Sequence, residues 1–276
     1  MKIANLGDIH GRDTWKFHTH GSPYDYNLWK IAVDAGAPVD SEVWKDMPYS
    51  GFDKIVFVGD YVDSFTIGNA QMKQNLLEII EFKRLLGDKV VLLLGNHDVS
   101  YIVPDQWCSG YRSEMRHDFF EIFNKNIDLF SIAYEIESDK GEKYLWTHAG
   151  VTSGWLEKFN KALANPSNKS LKPIIEDHDP TNRKISENLN FAWELRMKVL
   201  FNVDMYSGGR EEWAGPIWVR PIMLNQHPLT GYNQIVGHTP QATIYDHDID
   251  EKTIHYFIDC LEHGDGESLI LDIEKS

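Results

Sequence analysis

Five short apolar runs, rich in β-branched residues, each stop at a small residue followed by a polar or titratable side chain. Residues 2–6 precede Gly7-Asp8, residues 54–58 precede Gly59-Asp60, and residues 89–94 precede Gly95-Asn96. Residues 144–146 precede Thr147-His148, and residues 234–236 precede Gly237-His238. Runs this short and apolar predict buried strands, each released into a loop at its carboxyl end. Open α/β sheets gather their ligands at that edge, so the pattern predicts one site assembled from five strand ends.

Between the runs the spacing predicts helices. Residues 69–86 carry Met72, Leu76, Ile79, Ile80 and Phe82 on one apolar stripe, which Gly87 closes. Further helices are expected over residues 26–35, 113–124 and 185–201. The alternation implies a partly parallel sheet covered by helices, with strands at 242–245, 253–258 and 268–273 making an antiparallel finish. Residues 13–50 and 160–183 read as insertions within a single domain spanning 1–276, because no repeat or interdomain linker breaks the chain.

Charge narrows the partners. The 276 residues include 27 basic and 42 acidic side chains, a formal net charge of -15. That excludes a broad electrostatic footprint for nucleic acid or an anionic membrane, so a phosphate-bearing partner must be drawn in locally, by metal ions or a few focused arginines. Two cysteines, Cys108 and Cys260, are too few for a disulfide framework or a cysteine-built zinc site. With no apolar run approaching a membrane span and no signal-peptide pattern, a cytoplasmic protein is expected.

The strand ends supply Asp8, His10, Asp60, Asn96, His148 and His238, all oxygen or imidazole donors and none a thiol. Six such ligands exceed one tetrahedral zinc but suit two ions sharing a carboxylate, the arrangement used for in-line displacement at phosphorus. Each motif alone is weak, since Asp-x-His is common and a lone histidine is more often an ordinary hydrogen-bonded one. Order, spacing and placement together make the signal.

Gly7-Asp8-Ile9-His10-Gly11, Gly59-Asp60-Tyr61-Val62-Asp63, Gly95-Asn96-His97-Asp98, Thr147-His148-Ala149-Gly150 and Gly237-His238-Thr239-Pro240 resemble the signature of calcineurin-like metallophosphoesterases. Within that superfamily the chain resembles the phosphoprotein phosphatase branch, with its bacterial members and the related diadenosine tetraphosphate hydrolases. The resemblance implies an α/β fold, a β-sandwich of two mixed sheets flanked by helices, with a dinuclear centre of manganese, iron or zinc at the carboxyl ends of strands. It places Asp8 and His10 on the first ion, Asp60 between the two, and Asn96, His148 and His238 on the second. It makes His97 the general acid and Asp63 the carboxylate that orients it, with a bridging hydroxide as nucleophile. The implied activity is metal-dependent phosphomonoester hydrolysis of the serine/threonine phosphatase type, on a phosphoprotein, nucleotide or small metabolite. Dinucleoside polyphosphate hydrolysis and a non-catalytic scaffold are the alternatives.

Two departures from the branch matter. Ser64 stands where an arginine usually follows the second aspartate, so one phosphate-binding arginine is missing. Residues 215–220 resemble the segment that supplies an arginine in bacterial relatives, which makes Arg220 the first candidate for phosphate and Arg12 the second. Pro240 occupies the position where nucleases carry a second histidine, favouring a monoesterase or pyrophosphate-cleaving enzyme. Cys108 lacks the arginine loop a cysteine nucleophile needs. His18, His20 and Asp246-His247-Asp248 read as solvated loop residues, while Trp213 and Trp218 are candidates for a substrate rim.

Overall fold

The computed structural model describes residues 1–261 and 266–275. In chain order the strands are β1 (Lys2–Leu6), β2 (Lys54–Phe57), β3 (Val90–Leu93), β4 (Phe130–Ser131), β5 (Ala133–Glu137), β6 (Lys143–Thr147), β7 (Tyr232–Val236), β8 (Tyr245–Asp250), β9 (Thr253–Phe257) and β10 (Leu269–Asp272). The helices are α1 (Trp15–His20), α2 (Pro23–Asp34), α3 (Asn69–Leu86), α4 (Asn96–Ile102), α5 (Arg116–Lys125), α6 (Ser153–Ala164), α7 (Lys172–His178), α8 (Ile185–Glu194) and α9 (Pro221–Gln226).

The strands form two mixed sheets, ordered β10-β1-β2-β3-β4 and β5-β6-β7-β9-β8. In the first, β1 to β4 run parallel and β10 pairs antiparallel with β1. In the second, β6, β7 and β9 run parallel between antiparallel edges. Alternation along the strands explains why the sheets stack. Ile3, Val56, Val58 and Leu93 turn inward to meet Trp146 and Ile235, whereas Ala4, Ile55, Phe57 and Leu92 turn outward to the helices. One polar tie crosses the sandwich: Trp146 Nε1 donates to Asn5 Oδ1 at 2.6 Å, both side chains fully buried.

Parallel strands share a direction, so the carboxyl ends of β1, β2 and β3 open on one edge, and those of β6 and β7 open beside them. The loops are knitted together there: His10 N donates to Asp60 O at 2.7 Å, and Gly237 N to His148 O at 2.8 Å.

Several expectations are corrected. The strand expected at 242–245 begins at Tyr245 and runs to Asp250, so Asp246-His247-Asp248 lies on a strand, not a loop. Its pairing with β9 fixes that register, and its exposed acidic side chains guard the sheet edge. The helix expected over 185–201 stops at Glu194, because Arg196 adopts φ 49° and stacks its guanidinium on Trp193 at 3.6 Å. His20 is not solvated. It ends α1, which with α2 lies inside the 13–50 insertion, and its ring is enclosed by Trp15, Tyr26, Trp29, Tyr49 and Phe82. His18 is likewise helical and half-buried. No described helix is long and apolar enough to cross a membrane.

Candidate metal centre

The candidate ligands follow the carboxyl ends of five strands, with Asn96 opening α4, and three of the strand-end turns hold four left-handed residues. His10, Asp60, Asp63 and His238 adopt φ of 44°, 52°, 65° and 66°. A non-glycine residue held left-handed costs about 1 kcal/mol or more, and such residues cluster at functional sites. Two glycines show why the loops pack so closely. A Cβ on Gly95 would lie 2.0 Å from Asp60 Oδ1, and one on Gly237 would lie 2.1 Å from Asp8 Oδ1. Only glycine lets these backbones approach the two carboxylates.

Three imidazoles share one arrangement. His10 Nδ1 lies 2.9 Å from Val62 O, His148 Nδ1 2.8 Å from Val58 O, and His238 Nε2 3.0 Å from Trp218 O. A carbonyl can only accept, so in each ring that nitrogen carries the proton and the other presents a lone pair. The lone pairs converge on oxygen. His148 Nε2 sits 3.2 Å from Asp60 Oδ2 and 3.1 Å from Asn96 Oδ1, and His238 Nδ1 sits 3.0 Å from the same Asn96 oxygen. His10 Nε2 lies 3.9 Å from both Asp8 Oδ2 and Asp60 Oδ2.

Acceptors facing acceptors at these distances repel unless a cation lies between them. Burial holds His10 below the usual histidine range and His238 well below it, which disfavours a proton as the cation at those two rings. The donor set therefore fits divalent metal ions, with backbone carbonyls fixing each ring from behind. Two overlapping groups are close enough to share an ion each, His10, Asp60 and His97, and Asp60, His148 and His238, with Asp60 common to both.

Carboxylates dominate the surroundings. Asp8, Asp60, Asp63, Asp98 and Asp259 are all buried. Burial, with Asp259 and Asp60 nearby, raises the Asp8 carboxyl well above its ordinary range. Burial also pushes Asp60 upward, but the facing His148 and His97 outweigh it and hold the group low. His97 is the mirror case: burial opposes its charge, yet Asp60 and the contact with Asp63 raise it well above the ordinary value. His97 Nδ1 lies 3.2 Å from Asp63 Oδ2, and the other Asp63 oxygen accepts from Tyr101 OH.

A family profile described as calcineurin-like phosphoesterase matches residues 1–242. The chain belongs to that family. This metallophosphoesterase is an enzyme of a dinuclear-metal family, and the clustered donors above are its potential ligands. No curated protein matches it in sequence. Among solved structures it is similar to a cold-active protein-tyrosine phosphatase of a psychrophilic Shewanella species, with 18% identity over 98% of this chain and 75% of that one and a TM-score of 0.53. A Saccharomyces cerevisiae protein serine/threonine phosphatase similar to human phosphatase PP5 aligns at 14% identity over 100% and 80%, TM-score 0.44. The phosphatase domain of the Legionella effector WipB aligns at 14% over 87% and 100%, TM-score 0.47. The Shewanella likeness shows the fold.

The metallophosphoesterase cleft, about 190 Å³, is lined by His10, Asp60, Asn96, His97 and His238, and by both candidate arginines. Arg220 is held by Gly208 O at 2.9 Å, His238 O at 3.1 Å and Thr239 Oγ1 at 3.1 Å. Arg12 reaches Thr66 Oγ1 at 3.3 Å. Ser64 does not replace an arginine chemically; its Oγ accepts from Thr66 N and Ile67 N and folds the rim. Trp218 lines the cleft, whereas Trp213 lies beneath Lys158.

Two contributors escaped the sequence reading. Asp98 accepts from Asp60 N, Tyr61 N and Gly95 N at 2.8, 2.9 and 2.9 Å, fixing two ligand turns with one carboxylate. Its place in Gly95-Asn96-His97-Asp98 was the available signal. Asp259 lines the cleft after β9 and stands in no recognisable motif.

Proposed function

We propose that this metallophosphoesterase hydrolyses phosphate monoesters carried on protein side chains. The observation that carries the reading is the convergence of three carbonyl-anchored imidazoles on Asp8, Asp60 and Asn96. In this reading Asp8 and His10 hold one ion, Asp60 bridges, and Asn96, His148 and His238 hold the second. The donor set, without thiolate, suits manganese, iron or zinc. Two ions bound there would activate water and neutralise charge on the phosphoryl oxygens.

The chain's own groups do the rest. Arg220, and less closely Arg12, orient the phosphate through charge-assisted bonds. His97, kept protonated by Asp63, donates to the departing oxygen. No covalent nucleophile is needed, and Cys108 stays out of the reaction.

The small cleft supports a monoester over a dinucleotide. Sites enclosing whole small-molecule ligands occupy roughly 300–1,000 Å³, and this cleft holds little beyond a phosphoryl group. Pro240 at its rim, in place of a second histidine, agrees. One observation favours an aromatic ester within the class: Phe65 lies at the cleft as a residue 77% exposed, available to meet a phosphotyrosine ring. Manganese-loaded protein is expected to hydrolyse p-nitrophenyl phosphate, with Asp60→Asn lowering turnover at least a hundredfold. Equal rates for the two proteins would overturn the proposal.

A further inference from the structure

Beside the cleft, Cys108 Sγ stands 3.2 Å from His97 Nδ1 and 3.5 Å from Asp63 Oδ2, and those two atoms are 3.2 Å apart. Tetrahedral zinc has bonds of about 2.3 Å to sulfur and about 2.0–2.2 Å to imidazole nitrogen and carboxylate oxygen. Those lengths place sulfur about 3.5 Å from either light donor, and nitrogen about 3.4 Å from oxygen. All three observed separations fall within about 0.3 Å of these values, so the triangle is already one face of a zinc tetrahedron.

We propose that Cys108, His97 and Asp63 form a zinc site distinct from the dinuclear cluster, whose occupation stops turnover. The surroundings suit it. Ser100 Oγ lies 3.3 Å from the sulfur, and Tyr101 OH donates to the second Asp63 oxygen while accepting from Arg112 N at 2.9 Å. Ligands oriented in this way from behind are the mark of a built site. Thiolate and carboxylate together balance the two charges of the ion, so loading leaves the buried pocket neutral. Asp63, His97 and Ser109 line the cleft, which gives the ion a path in.

Binding displaces the thiol proton and the proton between His97 Nδ1 and Asp63. His97 is then a neutral imidazole whose remaining Nε2–H, on the side of Asp60, is far too weak an acid to protonate a leaving oxygen. The effect on turnover rests on the acid role proposed for His97; the binding does not.

The test uses the full-length protein with manganese in the dinuclear cluster, titrated with cobalt(II) and separately with zinc. No thiol belongs to that cluster, so a thiolate-to-cobalt charge-transfer band in the near ultraviolet reports Cys108 alone, with Cys260→Ser as the control for the other cysteine. The wild type and Cys260→Ser are expected to show the band and Cys108→Ser to lack it. Zinc should inhibit hydrolysis of phosphoserine, whose alkoxide needs the proton, by the wild type at concentrations at least tenfold below those needed for Cys108→Ser. A band absent from the wild type, or unchanged in Cys108→Ser, overturns the site. A Cys108-dependent band with equal zinc sensitivity in both proteins overturns its effect on turnover. The band is read without substrate, so its outcome is separate from that of Asp60→Asn.

Discussion

His97 Nδ1 stands 3.2 Å from Asp63 Oδ2 and its Nε2 3.9 Å from Asp60 Oδ2, so the ring spans from a supporting carboxylate to the centre of the cleft. If Asp63 acts by keeping His97 a proton donor, its removal should matter only where the leaving oxygen needs a proton. Asp63→Asn is expected to lower kcat about a hundredfold on an alkyl phosphate such as phosphoserine, in the range for general acid catalysis. The loss should be much smaller on p-nitrophenyl phosphate, whose phenolate leaves unaided. Steady-state kinetics on both substrates check this, and equal losses would remove Asp63 from the role.

Arg220 and Arg12 line the same cleft, but their anchoring differs. Arg220 is fixed through its Nε and one terminal nitrogen to Gly208, His238 and Thr239, which aims the guanidinium before any substrate arrives. A charge-assisted bond to phosphate contributes roughly 1.5–3 kcal/mol, or 10- to 150-fold. Arg220→Ala should therefore lower kcat/KM by that range, whereas Arg12→Ala should cost only about 2- to 5-fold, as an exposed contact does. Inhibition by inorganic phosphate should weaken in parallel. A larger effect at Arg12 would reverse the assignment.

The six candidate ligands could be picked out together because the pattern is local: a strand, a small residue (glycine four times, Thr147 once), then a polar side chain. The two mixed sheets followed from the resemblance those motifs carry. What could not be read depends on residues that meet only in three dimensions. Arg112 donates to the carbonyls of Ser64 and Ile67 and to Asn69 Oδ1, clamping the rim where an arginine was missed, from more than forty positions away. Cys108 returns to His97 by way of an irregular loop that no periodicity describes. His20 looked polar beside His18, and only Tyr49 and Phe82, distant in sequence, reveal it as core.

The proposed preference for aromatic phosphoesters rests on Phe65. Its largely exposed side chain has little apolar burial to lose, so Phe65→Ala should leave thermal stability within about 0.5 kcal/mol, as surface changes do. Stacking against a substrate ring is worth about 0.5–1.5 kcal/mol beyond area burial. KM for phosphotyrosine peptides should rise roughly 3- to 10-fold, while that for phosphoserine peptides stays near the wild-type value. Equal shifts for both would show that the ring does not read the ester.

His20 gives the insertion a measurable pH signature away from the cleft. Its ring is buried among five aromatic side chains; Nδ1 meets Thr19 Oγ1 at 2.8 Å, and Nε2 has no hydrogen-bond partner among the described residues. Burial, and then the Lys16 ammonium, push its pKa down to about 3. The unfolded chain takes up a proton near pH 6.5 that the folded one refuses. The stability due to neutral His20 is therefore complete above about pH 6.5 and is lost as pH falls toward 3. At pH 4.5 that loss is about 2–3 kcal/mol. His20→Phe keeps a ring in the cluster and cannot titrate. Denaturant unfolding at pH 7 and 4.5 should show the wild type losing about 2–3 kcal/mol more than the variant over that interval, whatever the variant's stability at pH 7. Parallel losses would mean that His20 is protonated within the fold, and that the cluster opens to admit it.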